Sequence, residues 1–246
     1  MVKKSPDKIR INKFLADKGV ASRREIDTLI EKGLVTVNGK KAVIGQQVNE
    51  EDAIEVKTSS QTKKSYLAYY KGRGIITHSP DHNQTDIATQ IKEKYGLTNI
   101  YPIGRLDKDS EGLMLLTNDG RLNKRLLNPE AGHEREYDVT VDKPIPPMAL
   151  KKMAKGLNIE GYKTKPAQTR PHATNRYRFN ITLTEGKKHQ IRRMCASLGF
   201  QVQSLKRVRI MHIELGKLKP NQFRKLTKPE QTQLLQKLGL INTQKV

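Results

Sequence analysis

The chain has 246 residues, 35% of them hydrophobic, with no Trp, one Cys and a formal charge of +22 at pH 7. That length allows a buried core in one domain or two, and the composition is not that of a disordered polymer. The positive excess favours a polyanionic partner, nucleic acid first, while no apolar run approaches the ~18 residues of a membrane-spanning helix.

Residues 1–10 are polar and basic, unlike a secretory leader, and the lone Cys195 can form no internal disulfide. The expectation is a reduced, cytoplasmic protein. The charge is uneven. Residues 1–60 carry 12 Lys/Arg against 9 Asp/Glu, whereas residues 163–228 carry 17 against 2.

Residues 9–56 read as a compact module. Ile11, Phe14 and Leu15 share a helical face that Gly19 can end. Ser22 and Glu25 have capping-box spacing, and Ile26, Leu29 and Ile30 form the next apolar face. Asn38-Gly39 between Val35-Thr36-Val37 and residues 40–43 predicts a tight hairpin. Arg23 and Arg24 at a helix start can offer charge and backbone amides to phosphate, or be ordinary surface arginines. The predicted division is residues 7–58 for this module, a linker at 59–64 without apolar anchors, and a second domain at 65–246.

The second domain opens on a strand at residues 66–70, followed by a turn at 72–74, more strand at 75–77 and a helix at 85–94. Residues 104–112, Gly-Arg-Leu-Asp-Lys-Asp-Ser-Glu-Gly, place five charged side chains between two glycines, directly before the apolar run Leu113-Met114-Leu115-Leu116. Charges beside a buried strand are costly unless paired or used, so chemistry is expected here. Beyond it come a helix with Leu122, Leu126 and Leu127, and an alternating strand with Tyr137, Val139 and Val141. A helix with Met148, Leu150, Met153 and Leu157 closes before Gly161. Tyr177, Phe179, Ile181 and Leu183 alternate as a strand, and residues 189–198 form a helix with Ile191, Met194, Cys195 and Leu198 on one stripe. Short strands at 201–202 and 210–215 and a last helix with Leu234, Leu235 and Leu238 complete the chain. Strands without regular helix alternation predict an α+β domain with a mainly antiparallel mixed sheet.

Cofactor and metal motifs are lacking. Asp107, Asp109, Glu111 and Gly112 fit a calcium loop in part, but its twelfth position is Asn118, without a bidentate carboxylate. Six scattered His and one Cys give no zinc cluster. His78 and His82 are separated by Ser-Pro, which breaks a helix. There is no phosphate-binding glycine loop, and Cys195 reads as a core filler.

Gly104-Arg105-Leu106-Asp107, Ser110-Glu111-Gly112-Leu113 and Leu116-Thr117-Asn118-Asp119-Gly120 together resemble the signature of the RsuA-type ribosomal RNA pseudouridine synthases. The likeness continues through Glu136-Tyr137-Asp138-Val139, Gln190-Ile191-Arg192-Arg193-Met194 and Leu205-Lys206-Arg207-Val208-Arg209-Ile210. Arg207-Val208-Arg209-Ile210-Met211 and Val141-Asp142-Lys143-Pro144-Ile145 are most similar to the F-type enzymes of 23S ribosomal RNA. Residues 9–56, with Ser-Arg-Arg-Glu and Val-Asn-Gly, resemble the small RNA-binding domain of ribosomal protein S4.

The resemblance implies a cofactor-free and metal-free isomerase that turns a uridine of ribosomal RNA into pseudouridine. Asp107 would be the catalytic carboxylate, by attack on sugar, attack on base or proton removal; the sequence leaves these open. Arg192, at the edge of its helix's apolar stripe, would pair with Asp107 and keep it charged. Arg193, about 200° round from Ile191, would contact phosphate. Tyr137 would stack on the base, Leu205 would pack beneath it, and Arg105 would fill the gap left by the flipped nucleotide. A tRNA stem-loop is a further possible substrate, and a monomer is expected. The sequence departs from the family at Tyr70-Lys71-Gly72, where Asn-Lys-Pro is usual, at Arg135, where lysine is common, and at residues 185–189. A non-catalytic RNA binder and a metal-dependent nuclease using Asp107 and Asp109 are the competing readings.

Overall fold

The computed structural model describes residues 8–21, 23–57, 63–78 and 86–241, without the Arg24 side chain. The first part contains β1 (Ile9–Arg10), α1 (Ile11–Asp17), α2 (Arg23–Glu31), β2 (Val35–Val37), β3 (Lys40–Lys41), β4 (Gln47–Val48) and β5 (Ile54–Val56). The i, i+3, i+4 residues Ile11, Phe14 and Leu15 meet Ile26, Ile30, Val35, Val37 and Val48 in one core. Asn38 and Gly39 take φ of 51° and 79°, the left-handed pair that a two-residue hairpin turn needs. Ser22 of the predicted capping box lies outside the described residues.

The second part runs β6 (Tyr66–Lys71), α3 (Ile87–Tyr95), β7 (Tyr101–Ile103), β8 (Glu111–Thr117), α4 (Arg121–Leu126), β9 (Arg135–Val141), α5 (Pro147–Lys155), β10 (Asn158–Ile159), β11 (Tyr162–Lys163), β12 (Gln168–Pro171), β13 (Arg178–Leu183), α6 (Gln190–Ser197), β14 (Val202–Ile210), β15 (Ile213–Glu214), β16 (Phe223–Lys225) and α7 (Lys228–Lys237). The main sheet has the order β12-β13-β9-β14-β8-β6-β16. The β8–β14 junction is parallel, and the other neighbours in that order are antiparallel. The fold is α+β with a mainly antiparallel mixed sheet.

The apolar run of β8 is continuous because both faces of that strand are covered. Leu113 and Leu115 pack with α4 and α7 through Leu122, Leu126, Leu234 and Leu235. Met114 and Leu116 pack with α3 through Ile87 and Ile91. A strand buried on both faces loses its alternation. A separate core under α5 and α6 joins Val139, Phe179, Ile181, Met153 and Met194. Cys195 sits in it fully buried, and burial pushes its thiol up to about 12, so it is a filler without nucleophilic character.

Several elements differ from expectation. The strand predicted at residues 75–77 reduces to one bridge between Ile76 and Asp86. The helix after it starts at Ile87 with Asp86 as its cap, accepting from Thr89 N at 2.8 Å; Thr85 lies outside the described residues. α5 stops at Lys155 rather than near Gly161, because Gly156 turns to φ 86° and lies so close to Thr164 O that a Cβ would stand 2.4 Å from it. The two short strands predicted at 201–202 and 210–215 are β14, nine residues long at the middle of the sheet, and β15.

The two parts touch through charged groups. Lys124 Nζ lies 3.2 Å from Asp17 Oδ2, and Lys64 Nζ donates to Gly19 O at 3.0 Å. Nearby, the fully buried Asp119 accepts from Arg121 Nη2 at 2.7 Å and Tyr66 OH at 2.8 Å. Burial alone would raise its pKa, but these bonds outweigh it and hold the carboxyl below the usual range.

The parallel junction sets a sharp steric condition. Gly112 has φ 113°, and a Cβ on it would stand 2.3 Å from Arg207 O and 2.6 Å from Arg207 N. Neither backbone atom can yield without parting the strands. Gly112→Ala is therefore expected to lose about 3 kcal/mol or more of stability, read by urea unfolding; an unchanged midpoint would contradict this account of the junction.

Candidate active site

Asp107 lies on the loop that leads into β8. Thr77 Oγ1 pins that loop, donating to Leu106 O at 2.7 Å and accepting from Leu106 N at 3.0 Å. The Lys71 ammonium, fully buried at the end of β6, donates to Ser110 O at 2.6 Å, Gly72 O at 3.1 Å and Lys108 O at 3.3 Å. The backbone is thus held while the Asp107 side chain stays 40% exposed. It faces a cleft of about 420 Å³ lined by Arg105, Tyr137, Leu205, Arg207, Arg135 and His189, among others.

Tyr137 comes from β9 and packs partly buried between two cores. Leu205 comes from β14, is 6% exposed and forms part of the floor. Arg105 is exposed on the same loop as Asp107. The structure therefore brings Asp107, Tyr137, Leu205 and Arg105 to one cleft.

Arg192 is placed differently from expectation. Its Nη2 donates to Asp109 O and Ser110 Oγ, each at 3.3 Å, and its Nη1 to Val202 O at 3.3 Å. It braces the loop's backbone, and the side chain set against the Asp107 carboxylate is that of His189, with Nε2 3.4 Å from Oδ1. The cause is local. His189 takes φ 53° as it enters α6, which turns its ring over the carboxylate, while Arg192, three residues on, meets the loop further along. His189 was not singled out from the sequence, where it is one more basic residue in a Lys-Lys-His run.

Arg193 also differs. It pairs at 2.7 Å with the exposed carboxylate of Glu160, a partner within the protein that the sequence did not show. Arg23 is exposed at the start of α2 and lines a second groove with Lys13, Asn118 and Lys124; the Arg24 side chain lies outside the described set. His78 is 3.8 Å from Asp86, and His82 lies outside the described residues. Glu185, in the cleft wall, is held by Gln190 Nε2 at 2.6 Å, by Lys165 N at 2.9 Å and by the Tyr162 hydroxyl.

Comparison with known proteins agrees with this fold. A solved structure described as "Crystal structure of pseudouridylate synthase" superposes with a TM-score of 0.68 at 29% identity, covering 92% of this chain and 99% of its own. The class is therefore that of RNA-modifying enzymes built from a small module and a catalytic sheet. The profile of the RNA pseudouridylate synthase family matches residues 65–197, and that of the S4 domain matches residues 9–54. The chain belongs to the RNA pseudouridylate synthase family, with an RNA-binding S4 domain at its N-terminal end.

Among curated relatives, Dual-specificity RNA pseudouridine synthase RluF of Escherichia coli K12 is 38% identical, over 90% of this chain and 77% of its own. An uncharacterised RNA pseudouridine synthase of Aquifex aeolicus is 37% identical over 94% and 96%. Ribosomal large subunit pseudouridine synthase B of Bacillus subtilis is 36% identical over 90% and 93%. Among the described residues, no helix is long and apolar enough to cross a membrane.

Burial pushes Lys71 from its usual 10.5 down to about 8, with Asp107, Asp109 and Glu111 opposing. A lysine whose folded value is depressed disfavours folding most where it is charged in both states, below pH 8. That deficit shrinks as pH rises toward 10.5, because the folded form gives up its proton first. Between pH 8 and 10.5 the wild type should gain about 3 kcal/mol of stability relative to Lys71→Met. Parallel pH profiles of unfolding for the two proteins would refute this.

Proposed function

We propose that this enzyme isomerises a specific uridine in ribosomal RNA of the large subunit, using Asp107 and no cofactor, with the target base turned out of the RNA into the cleft. The single observation that carries the reading is one half-exposed carboxylate at a cleft that Tyr137 and Leu205 also line. A nucleophile or base must reach its substrate, and a flipped pyrimidine needs a planar group and an apolar surface to leave the stack.

In this reading Tyr137 lies against the flipped ring and Leu205 under it. Arg105 enters the duplex or loop where the nucleotide was. Arg192 and Lys71 fix the loop, and His189 orients the Asp107 carboxylate. Arg23 and Arg24, with Lys13, hold RNA phosphates outside the cleft, so that residues 7–58 serve as grip and residues 65–246 as the catalytic unit joined by 59–64. The names of the relatives, one for the large ribosomal subunit and one for dual specificity, favour large-subunit RNA and leave room for a stem-loop of tRNA. We take the protein to act as a cytoplasmic monomer.

The test is release of tritium from RNA labelled at uridine C5. Asp107→Asn should lower it by about a thousandfold or more while RNA affinity in a gel-shift titration stays within a small factor. Normal turnover of that variant would remove Asp107 from the chemistry. An unchanged pseudouridine map in cells lacking the protein would remove the ribosomal substrate.

A further inference from the structure

Two guanidiniums on the floor of the cleft have no counter-ion. Arg207, on β14, is 4% exposed; its Nε donates to Leu113 O at 2.7 Å, and its buried Nη2 has no partner. Arg135, on β9, donates from Nη2 to Leu126 O at 3.1 Å. Among the described residues neither makes an ion pair. Burial pushes Arg135 down; Tyr137 opposes this and the charge of Arg207 adds to it. Of the two nearby carboxylates of the cleft, Asp107 stands beside His189 and Glu185 is held by Tyr162, Gln190 and Lys165 N; among the described residues neither ion-pairs with Arg135 or Arg207.

The contrast with the other face of the same strands is informative. There Arg209 pairs with Glu134 and Glu136, Arg178 with Asp138, and Lys206 with Glu111. Facing away from the cleft, each of these cations has an acid. Facing into it, two have none, although an unpaired buried charge costs several kcal/mol. Such a cost is tolerated where a ligand supplies the missing charge.

We propose that Arg135 and Arg207 form an anion-holding floor that receives the negative charge developed on the uracil ring when its glycosidic bond breaks; this rests on the isomerase reading above. When C1′–N1 breaks, its electron pair goes to the pyrimidine and is shared by N1, C5, O2 and O4, so that C5 becomes the nucleophile. C5 then bonds to C1′, the C5 proton leaves to a base, and N1 ends protonated. Nothing is oxidised or reduced. Donors fixed beforehand in a dry site stabilise charge that exists only along the reaction path. The base is favoured over a phosphate as the occupant because the pair lies on the floor with Leu205 and Tyr137, while the exposed Arg105, Lys187 and Lys188 line the same cleft nearer solvent.

The experiment measures binding of uracil and of 5-nitrouracil, an anion at neutral pH, by calorimetry, with 5-nitrouracil repeated below its own ionisation. Inorganic phosphate is the competing probe, and the proteins are the wild type, Arg207→Met, Arg207→Lys and the less buried Arg135→Met, each checked for folding by circular dichroism. The wild type should prefer the nitrouracil anion by about tenfold or more. The preference should vanish when the ligand is protonated, collapse in Arg135→Met and in any folded Arg207→Met, and survive in part in Arg207→Lys. A structural role for the arginines would leave this ratio unmoved.

No anion preference in the wild type, an unchanged ratio in Arg135→Met, or displacement of 5-nitrouracil by phosphate at equal concentration would overturn the proposal. Absence of tritium release by the wild type would instead overturn the isomerase reading. A wild type that releases tritium but shows no anion preference would sink only this inference.

Discussion

One ammonium group holds the site together. Lys71 reaches from the end of β6 to three carbonyl oxygens, two of them, Lys108 O and Ser110 O, on the Asp107 loop. Arg192 takes the same loop from the other side, through Asp109 O and Ser110 Oγ. Both cations bind backbone or hydroxyl oxygens. Had either been drawn to the Asp107 carboxylate, it would have covered oxygens that a substrate must reach. By gripping the chain instead of the side chain, Lys71 and Arg192 make the loop stationary and leave the carboxylate, 40% exposed beside His189, open to the cleft, which is the condition for a group that must meet a reacting atom at fixed distance.

The parallel contact of β8 with β14 extends this to the rest of the cleft. Gly112 lies against the backbone of Arg207, and the same stretch of β14 pairs with β9, where Tyr137 stands opposite Arg207. Three segments far apart in sequence, the 104–110 loop, β9 and β14, are thereby locked in register. A side chain at residue 112 would push the carboxylate's loop away from the floor formed by Leu205 and Arg207. The two glycines that bracket the charged loop thus serve different ends: Gly104 permits the turn at φ 72°, and Gly112 permits the approach.

Much of this could be read from residues alone where one periodicity dominates. β9, β13 and α6 follow from clean alternation or a single helical stripe, and the Asn38-Gly39 turn from its need for two left-handed residues. β14 reads as two pieces because its buried positions include Arg207, and a strand that faces a cationic cleft on one side and paired acids on the other has no apolar rhythm to show. The charged loop was legible as a site, since five charges beside an apolar run demand a use. Its partners were not. Whether Arg192 or His189 meets Asp107 depends on a left-handed residue at the helix entrance, and histidine carries no local signal for that conformation. Lys71 falls in the short motif Tyr70-Lys71-Gly72, but nothing in its neighbours reveals that it is fully buried.

Charge counting illustrates the same limit. Residues 163–228 carry 17 cations and 2 acids, which read as the main electrostatic footprint. Yet Arg170, Arg178, Arg193 and Arg209 pair with acids supplied from elsewhere, chiefly from residues 134–138. Among the described residues of that stretch, the cations without an acid partner include Lys187 and Lys188 at the cleft. Long-range attraction of RNA depends on the net field and fades beyond about 10 Å at moderate salt, so it cannot choose one nucleotide from its neighbours. Arginine, with a planar fork that suits fixed bidentate contacts, is here spent mostly on the protein's own acids. Arg207, buried, and Arg135, half-buried, stand without an acid on the cleft floor, and it is by these two that the site distinguishes an anion inside the cleft from the many anions outside it.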